Sequence, residues 1–520
     1  MPQKQVFMKK TSELALHPFF IASYPILFLL ANNISQINPK DLFRPLVISL
    51  LFTLFFTLIF SIAAKDHRQG GLSASIIVGL FFTYGHIHRA LGLENHAILL
   101  LAWVLLLAVG MLAKYRIKNI NSVIKSLNII TFLLLLQPIF TILIFLSQSG
   151  IPQKIKPPSP FDGVDAVSQN NSDLPDIYYI IPDAYGRSDV VKELYDYDNS
   201  DFINFLEARG FYIAEKSHSN YIQTSLSLSS SMNLDYLENL EEADIQSSDR
   251  EPLKELIHHS ELRQFLEERG YQTIGFSTGY ALTTISDADF FIPYHVELAN
   301  DLENLILMTS ATRAFGDKMQ NLFLPFYCES QRGGIMNIFE NLEKVPALPG
   351  PKFVFVHIMA PHPPFVFDAE GNTVKYGDCN GLDGTEFAGS REEYKTGYPQ
   401  QMAYTSTLLE KTIENILENS ATPPVIIIQG DHGSGMFLDF ESLENTCLRE
   451  RTSILNAYYL PTVEDDIFYE TITPVNSFRI VLNEIFDLDL ELLEDKIYFS
   501  PWEKLYQAEE VTDKIESSCE

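Results

Sequence analysis

The sequence predicts an N-terminal bundle of five transmembrane helices followed by a doubly wound α/β domain. Three observations support this prediction. Long apolar segments are confined to the first 150 residues, net charge differs sharply between the two parts of the chain, and short apolar strands alternate with helices in the second part. With 520 residues, of which 46% are hydrophobic and 20% charged, the chain is long enough for two or three folded domains.

Five segments are long and apolar enough to cross a bilayer, which takes about 20 residues each. They cover residues 14–34, 45–64, 72–91, 97–113 and 127–146, so we assign residues 1–147 to a transmembrane domain. Pro18 and Pro25 interrupt the first segment, but four further segments follow directly, which favours an uncleaved helix over a signal peptide.

Basic residues between these segments predict their orientation. Those expected on one side are Lys4, Lys9, Lys10, Lys65, Arg68, Lys114, Arg116, Lys118 and Lys125. Only Lys40, Arg44 and Arg89 fall on the other side. The positive-inside rule therefore predicts a multi-pass plasma (inner) membrane protein with a cytoplasmic N-terminus. Five crossings place the rest of the chain outside.

The charge distribution excludes some partners. Residues 1–150 carry a net charge of +8 and residues 151–520 a net charge of −38. Such an acidic surface repels phosphate backbones, which excludes nucleic acid as its partner. Residues 148–175 are rich in Pro, Ser, Asn and Gln, which predicts a linker before an extracytoplasmic domain at 176–520.

Four cysteines lie in the acidic part of the chain. They are Cys328, Cys379, Cys447 and Cys519. In an oxidising compartment they allow two disulfides, with three possible connectivities. Four unpaired thiols fit the sequence equally well.

The acidic part alternates between two kinds of segment. Strands are predicted at 176–182, 273–277, 353–358 and 425–429, and helices at 201–209, 261–269 and 400–419. The phrases FLEARGFYI and FLEERGYQT each indicate a helix, a glycine cap and a following strand. This alternation predicts a doubly wound sheet with its active site at the carboxyl ends of the strands.

Residues at these strand ends form a candidate metal site. Asp183 follows the first strand, and Asp431 and His432 follow the last one in the phrase GDHGSG. Thr224 lies in SNYIQTSLSLSSSMN, where a loop should enter a helix. Two carboxylates and an imidazole suit one Mn²⁺ or Zn²⁺ ion better than Mg²⁺. A hydroxyl beside that ion would become a nucleophile, although each motif alone also fits an ordinary turn, cap or loop.

In this order, these residues resemble the alkaline phosphatase/sulfatase superfamily over roughly residues 175–461. The whole layout resembles its membrane-anchored branch, which includes lipoteichoic acid synthase and the phosphoglycerol and phosphoethanolamine transferases. The resemblance implies a sulfatase-like outer domain whose metal ligands are Asp183, Thr224, Asp431 and His432. It also implies that Thr224 is the nucleophile and that His362, in HIMAPHPPF, binds the transferred group or protonates the leaving oxygen.

Two departures from the family patterns narrow the reactions that this chain could catalyse. The chain lacks the C/S-x-P-x-R string that sulfatases convert to formylglycine, which counts against sulfate ester hydrolysis. No histidine follows His432, so a second metal site of the phosphodiesterase type cannot be completed.

Asn220 and Arg187, beside the nucleophile and first ligand, are candidates for phosphate contact or for solvent-facing roles. His357 is a candidate substrate contact or a core histidine.

We therefore expect a metal-dependent transferase that moves a phospholipid headgroup phosphodiester to a glycan or lipid acceptor through a phosphothreonine. A membrane-anchored phosphodiesterase or phosphatase is the first alternative, since water can replace the acceptor. A non-catalytic, membrane-tethered binding module is the second. The sequence indicates neither the headgroup nor the oligomeric state.

Overall fold

The computed structural model describes residues 13–34, 39–91, 96–148, 161, 174–237, 249–294, 301–376, 381–461, 467–515 and 519. The chain forms two compact units. The first unit comprises Met1–Gln153 and Leu298–Phe323, and the second comprises Lys154–Glu297 and Leu324–Glu520. Almost all of the predicted linker, together with Lys4, Lys9 and Lys10, lies outside the described residues.

The described helices and strands alternate through most of the second unit. The α-helices are α1 (His17–Asn32), α2 (Phe43–Ala64), α3 (His67–Ala90), α4 (His96–Ala113), α5 (Ile120–Gln148), α6 (Ser188–Tyr195), α7 (Ser200–Ala208), α8 (Thr224–Asn233), α9 (Glu251–His258), α10 (Glu261–Glu268), α11 (Asp301–Thr309), α12 (Gly316–Leu342), α13 (Arg391–Asn419), α14 (Leu448–Thr452) and α15 (Pro474–Phe486). The strands are β1 (Ile177–Pro182), β2 (Tyr212–Ile213), β3 (Gln272–Phe276), β4 (Phe290–Ile292), β5 (Lys352–Ile358), β6 (Phe365–Phe367), β7 (Thr373–Tyr376), β8 (Val425–Gln429), β9 (Asn456–Tyr459), β10 (Tyr498–Phe499) and β11 (Glu509–Glu510).

The first unit contains the apolar helices. Within the described part of the chain, four of them are long and apolar enough to cross a membrane: Pro39–Ala64, His67–His88, Ile98–Arg116 and Ile120–Ser147. The remaining predicted span, residues 14–34, corresponds to α1, which is apolar but has only 16 residues. At 1.5 Å per residue this helix is about 24 Å long. It begins with Pro18 in its first turn, a position that proline favours, and it ends at Asn32. Five spanning helices are therefore not confirmed.

A segment from the acidic part of the chain, Leu298–Phe323, belongs to the first unit. Its helix α11 places Leu302, Leu305 and Ile306 on one face, and this face packs in an apolar cluster with Leu30 of α1. The prediction of one uninterrupted outer domain does not account for this returning segment. The i, i+3, i+4 spacing of its apolar residues explains the packing.

The second unit is built on a mixed sheet. Among the described residues it has seven strands in the order β2-β9-β8-β1-β5-β3-β4. The five strands from β8 to β4 are parallel, whereas β9 runs antiparallel to both of its neighbours. Tyr178 and Ile180 of β1 pack in one apolar cluster, and Ile177, Tyr179 and Ile181 pack in another. The sheet is therefore covered on both faces, as its nearly continuous apolar strands predict.

Both repeated phrases form the predicted helix, glycine and strand. Gly210 follows α7 with φ 84° and Gly270 follows α10 with φ 85°. These left-handed conformations end each helix and direct the chain into β2 and β3.

The described cysteines are oxidised. Cys447 is bonded to Cys519, and Cys328 also carries a disulfide bond. The alternative of unpaired thiols, which the sequence left open, is therefore wrong for these three residues.

Candidate active site

The candidate residues follow three adjacent parallel strands and lie at one edge of the sheet. Strand β1 lies between β8 and β5, so the carboxyl ends of all three strands meet there. Asp183 follows β1, His432 follows β8 and His362 follows β5. Backbone hydrogen bonds connect the loops, because Asp183 N donates to Ile358 O at 2.9 Å and His362 N donates to Asp183 O at 3.0 Å.

Four predicted metal ligands lie together at this edge. The Nε2 atom of His432 is 3.5 Å from Asp183 Oδ1, 3.3 Å from Asp431 Oδ2 and 3.1 Å from Thr224 Oγ1. The Nδ1 atom of His432 lies 2.9 Å from Gly433 O and donates to it, so the lone pair on Nε2 faces the other three residues. This arrangement of carboxylate, imidazole and hydroxyl groups suits a single shared cation.

Thr224 is the first residue of α8, where the sequence predicted that a loop enters a helix. Every other residue of α8 is buried, whereas Thr224 is partly exposed. The hydroxyl-rich segment is thus a packed helix rather than a solvated loop. Gln223, the preceding residue, anchors the helix start by donating from Nε2 to Ser500 O at 2.9 Å. Thr224 therefore presents its hydroxyl at a helix N-terminus, a location that favours anions.

Unpaired polar atoms test whether a cation fits this site. Asp183 Oδ1, Asp431 Oδ2 and His357 Nε2 are buried and have no hydrogen-bond partner among the described residues. Buried carboxylates without partners are costly, and a divalent cation would remove that cost. Burial alone would raise the pKa of Asp183, but the positive charge of His362 and the nearby ring of His357 outweigh it and hold the pKa well below its usual range. The site therefore fits a divalent metal ion.

His357 lies behind the ligand set and is not exposed to a substrate. It is fully buried on β5, with Nε2 3.4 Å from Asp183 Oδ2 and 4.0 Å from Asp431 Oδ2. Its Nδ1 atom is 3.0 Å from Thr283 Oγ1, which fixes the ring. The proposed substrate contact is therefore not supported by this placement. His357 instead adjoins two of the candidate ligands.

His362 lies beside the ligand set, with its ring centroid 6.0 Å from that of His432. Its Nδ1 atom donates to Pro363 O at 2.6 Å, and its Nε2 atom lies 3.6 Å from Asp383 Oδ2. Gln401 holds the loop by donating to His362 O at 2.9 Å. Burial would lower the pKa of His362, but the carboxylates of Asp183 and Asp383 outweigh it and raise the pKa. The ring is therefore disposed to carry a proton beside the site.

Asn220 and Arg187 are engaged elsewhere. The amide of Asn220 accepts from Val475 N at 2.9 Å and donates to Lys496 O at 2.9 Å, and the residue is fully buried. Arg187 forms an ion pair with Asp189 at 2.7 Å and donates to backbone and ring atoms of residues 217 and 218. Their position beside the nucleophile and the first ligand in sequence made them candidates for phosphate contact. This placement does not support that role, because the side chains of both residues bind other parts of the protein.

Two charged residues of the site, Asp383 and Arg451, were not predicted from the sequence. Asp383 accepts from Tyr394 Oη at 2.8 Å and from Arg451 Nη1 at 2.7 Å, and all three side chains are buried. Burial opposes ionisation of Asp383, but His362 and Arg451 hold its pKa below the usual range. None of the sequence motifs includes Arg451, which lies 19 residues after His432.

Glu450 organises the loop that follows His432. Its carboxylate accepts from Ser434 Oγ at 2.9 Å, Met436 N at 2.9 Å and Phe437 N at 2.8 Å. Burial raises the pKa of Glu450. This fully buried residue was also missed, because its role depends on a loop 13 to 16 residues away in sequence.

Comparisons with known proteins find several solved structures to which the chain is similar. No curated protein matches the chain in sequence. The C-terminal periplasmic domain of EcEptC from Escherichia coli is 11% identical, with 68% of this chain and 96% of that chain covered at a TM-score of 0.44. Lipooligosaccharide phosphoethanolamine transferase A (EptA) from Neisseria meningitidis, an integral membrane protein, is 12% identical, with 91% and 95% covered at a TM-score of 0.40. BT1596, a 2-O GAG sulfatase, is 13% identical, with 61% and 72% covered at a TM-score of 0.39.

The family itself follows from a match in sequence. The Sulfatase family model matches residues 175–461, which include every candidate ligand and more than half of the chain. The chain therefore belongs to the Sulfatase family and is an enzyme of the sulfatase-like type.

Proposed function

We propose that this enzyme transfers a phosphodiester headgroup, phosphoglycerol or phosphoethanolamine, from a membrane phospholipid to a hydroxyl group of a glycan or a second lipid. The transfer proceeds through a covalent phosphothreonine on Thr224. One observation carries the proposal: the Thr224 hydroxyl lies 3.1 Å from His432 Nε2, at the point where α8 begins and three parallel strands end.

Asp183, Asp431, His432 and Thr224 would hold one divalent ion, Mn²⁺ or Zn²⁺. When bound, such an ion lowers the pKa of a neighbouring hydroxyl and offsets negative charge. The three other ligands are buried, whereas Thr224 is partly exposed, so its oxygen is the atom of this set that a lipid headgroup reaches. The first turn of α8 adds unpaired backbone N–H groups that favour the anionic phosphate.

In the first half-reaction, Thr224 Oγ1 attacks the donor phosphorus. A bond between Oγ1 and phosphorus forms, the bond to the diacylglycerol oxygen breaks, and the threonine proton passes to solvent. His362, whose pKa is raised, donates a proton to the departing oxygen. In the second half-reaction, the acceptor hydroxyl loses its proton to His362 and its oxygen attacks phosphorus. The bond between phosphorus and Oγ1 breaks, and Thr224 regains a proton from solvent. Ping-pong kinetics follow from this sequence.

The location of the reaction follows from the apolar helices. We take α1 as a fifth span beside the four longer ones, which places the second unit on the side opposite the N-terminus. The excess of basic residues near the N-terminal side makes that side cytoplasmic, so the second unit is extracytoplasmic. The lipid donor is then supplied by the outer leaflet of the same membrane.

Release of diacylglycerol without acceptor tests the proposal. Full-length protein is mixed with bacterial phospholipids and Mn²⁺ or Zn²⁺. We expect wild type to release about one diacylglycerol per chain and then stop, as one Thr224 is consumed. Thr224→Ala should release none. Ser225→Ala, which removes the next hydroxyl of α8, should behave as wild type.

Two outcomes would contradict this account. Release by Thr224→Ala at the wild-type rate would exclude Thr224 as the nucleophile. Continued release by wild type without an acceptor would show that water takes the headgroup, which would make the enzyme a phosphodiesterase. Addition of a glycan acceptor should otherwise restart release.

A further inference from the structure

The guanidinium of Arg451 is a buried cation beside the candidate site. Its Nε atom donates to Ile222 O at 2.8 Å, and Nη1 donates to Asp383 Oδ2 at 2.7 Å and Gly433 O at 3.2 Å. The Nη2 atom is 3.1 Å from His432 Nε2. These contacts use four of the five N–H groups, and among the described residues the remaining Nη2–H has no acceptor.

Arg451 is held rigidly. Two of its partners are backbone carbonyl groups, and a third is the buried carboxylate of Asp383. That carboxylate is fixed in turn by Tyr394, whose hydroxyl donates to Asp383 Oδ1 at 2.8 Å and accepts from Gly435 N at 2.9 Å. A donor fixed in this way loses little entropy when it binds a charged oxygen.

The unpaired N–H lies near the candidate nucleophile. Arg451 Nη2 and Thr224 Oγ1 are each 3.1 Å from His432 Nε2, so these two atoms are no more than 6.2 Å apart. A phosphorus atom poised for attack lies about 3–3.5 Å from the attacking oxygen. A separation of at most 6.2 Å therefore allows one phosphate group to contact both atoms, with phosphorus next to Oγ1 and a non-bridging oxygen next to Nη2.

The charges of the site also favour this contact. The buried cluster contains three carboxylates, Asp183, Asp431 and Asp383, and one guanidinium, that of Arg451. One divalent ion would balance the two remaining negative charges, and the incoming phosphodiester adds a further one. No histidine follows His432 to build a second metal site. Besides the ring of His362, the cationic side chain beside the phosphodiester is then Arg451, whose guanidinium is permanently charged.

We propose that Arg451 Nη2 donates to a non-bridging oxygen of the donor phosphodiester, and that Asp383 positions Arg451 for this contact. The assignment rests on the proposed function and makes Arg451 a catalytic residue of the first half-reaction. Negative charge on these oxygens is what an arginine stabilises during phosphoryl transfer. The single lone pair of His432 Nε2 serves either Arg451 or a metal ion, so a metal-bound His432 leaves both Nη2 hydrogens for phosphate.

The test uses Arg451→Ala and Arg451→Lys in the full-length protein. Loss of one such donor should slow the diacylglycerol burst 10²- to 10³-fold in Arg451→Ala. Arg451→Lys, which keeps the charge but not the fork, should be slowed at least 10-fold. Both variants should still bind one Mn²⁺ or Zn²⁺ per chain by calorimetry. Added guanidinium chloride should restore part of the rate to Arg451→Ala and none to Arg451→Lys.

Arg479→Ala is the matched control. Arg479 is a buried arginine of the second unit that donates to Leu234 O at 2.8 Å and Glu491 O at 2.6 Å. Its loss should lower stability and leave the burst rate unchanged below the unfolding temperature. Asp383→Asn should slow the burst, and its effect should be smaller in Arg451→Ala than in wild type, because the part that acts through Arg451 is already lost and only the part that acts through His362 remains.

Two results would overturn the assignment of Arg451 alone. One is a burst in Arg451→Ala within threefold of wild type. The other is loss of metal binding in both variants, which would make Arg451 a support for His432. Absence of any burst in wild type would instead overturn the proposed function itself.

Discussion

Replacing His357 by leucine removes the buried histidine behind the candidate ligands. Its Nε2 atom is 3.4 Å from Asp183 Oδ2, a long contact that steadies the carboxylate without being a strong hydrogen bond. Loss of a group that orients a metal ligand typically lowers metal affinity 10- to 100-fold. The long distance puts the expected loss at about 10-fold, or about 1.4 kcal/mol.

The effect on folding should be smaller. Leucine fills most of the imidazole volume, and Thr283 Oγ1 keeps contacts with Thr278 Oγ1 at 2.9 Å and Tyr280 O at 3.3 Å. We therefore expect the free energy of unfolding to change by less than about 1.5 kcal/mol. Selective loss of metal affinity distinguishes a positioning role from a core role.

Calorimetric titration of metal-stripped, full-length protein with Zn²⁺ or Mn²⁺ measures this change. His258→Leu, at a buried histidine outside the site, should retain wild-type affinity. Wild-type affinity in His357→Leu would refute the reasoning. A loss greater than 10³-fold would also refute it, because His357 would then be a direct ligand.

Three further predictions concern folding. Lys352 Nζ lies 2.5 Å from Asp176 Oδ2 with both side chains buried, so Lys352→Met should lower the free energy of unfolding by about 3–5 kcal/mol in urea titrations, and adding Asp176→Asn should recover part of it. Burial lowers the pKa of His218 from 6.5 to about 3, so the unfolded chain binds a proton at this residue before the folded chain does. The free energy of unfolding should therefore be unaffected by His218 above pH 6.5 and should fall on acidification towards pH 3, by up to about 1.4 kcal/mol per pH unit. His218→Asn should flatten the measured pH profile of thermal unfolding, and an unchanged profile would exclude this source. A Cβ at Gly85 would lie 2.4 Å from the backbone of the returning segment, so Gly85→Ala should lower the unfolding temperature, whereas Gly79→Ala on the same helix meets no atom within 4 Å and should not.

The sequence predicted the central strands well, because each is a nearly continuous apolar run with a sharp polar end. Parallel order then brings Asp183, Asp431 and His432 together, since adjacent strands share one carboxyl edge. The antiparallel β9 was not predicted, because a short apolar segment carries no mark of its direction. The returning segment was likewise missed, since nothing in its composition indicates which unit it joins.

The polar surroundings of the site were harder to predict. Asp383 and Arg451 are 68 residues apart and meet only in the folded chain. Proximity to a ligand in sequence proved a poor guide, since a residue four positions away along a loop can face another part of the fold. Asn220 and Arg187 accordingly bind other parts of the protein.

The most direct test of the central claim is the mass of the peptide that carries Thr224. Full-length protein is incubated with bacterial phospholipids and Mn²⁺ or Zn²⁺, quenched in acid, digested and compared with Thr224→Ala. The account predicts an adduct on Thr224 whose mass identifies phosphoglycerol or phosphoethanolamine. An unmodified Thr224 peptide from metal-loaded protein that has released diacylglycerol would contradict it.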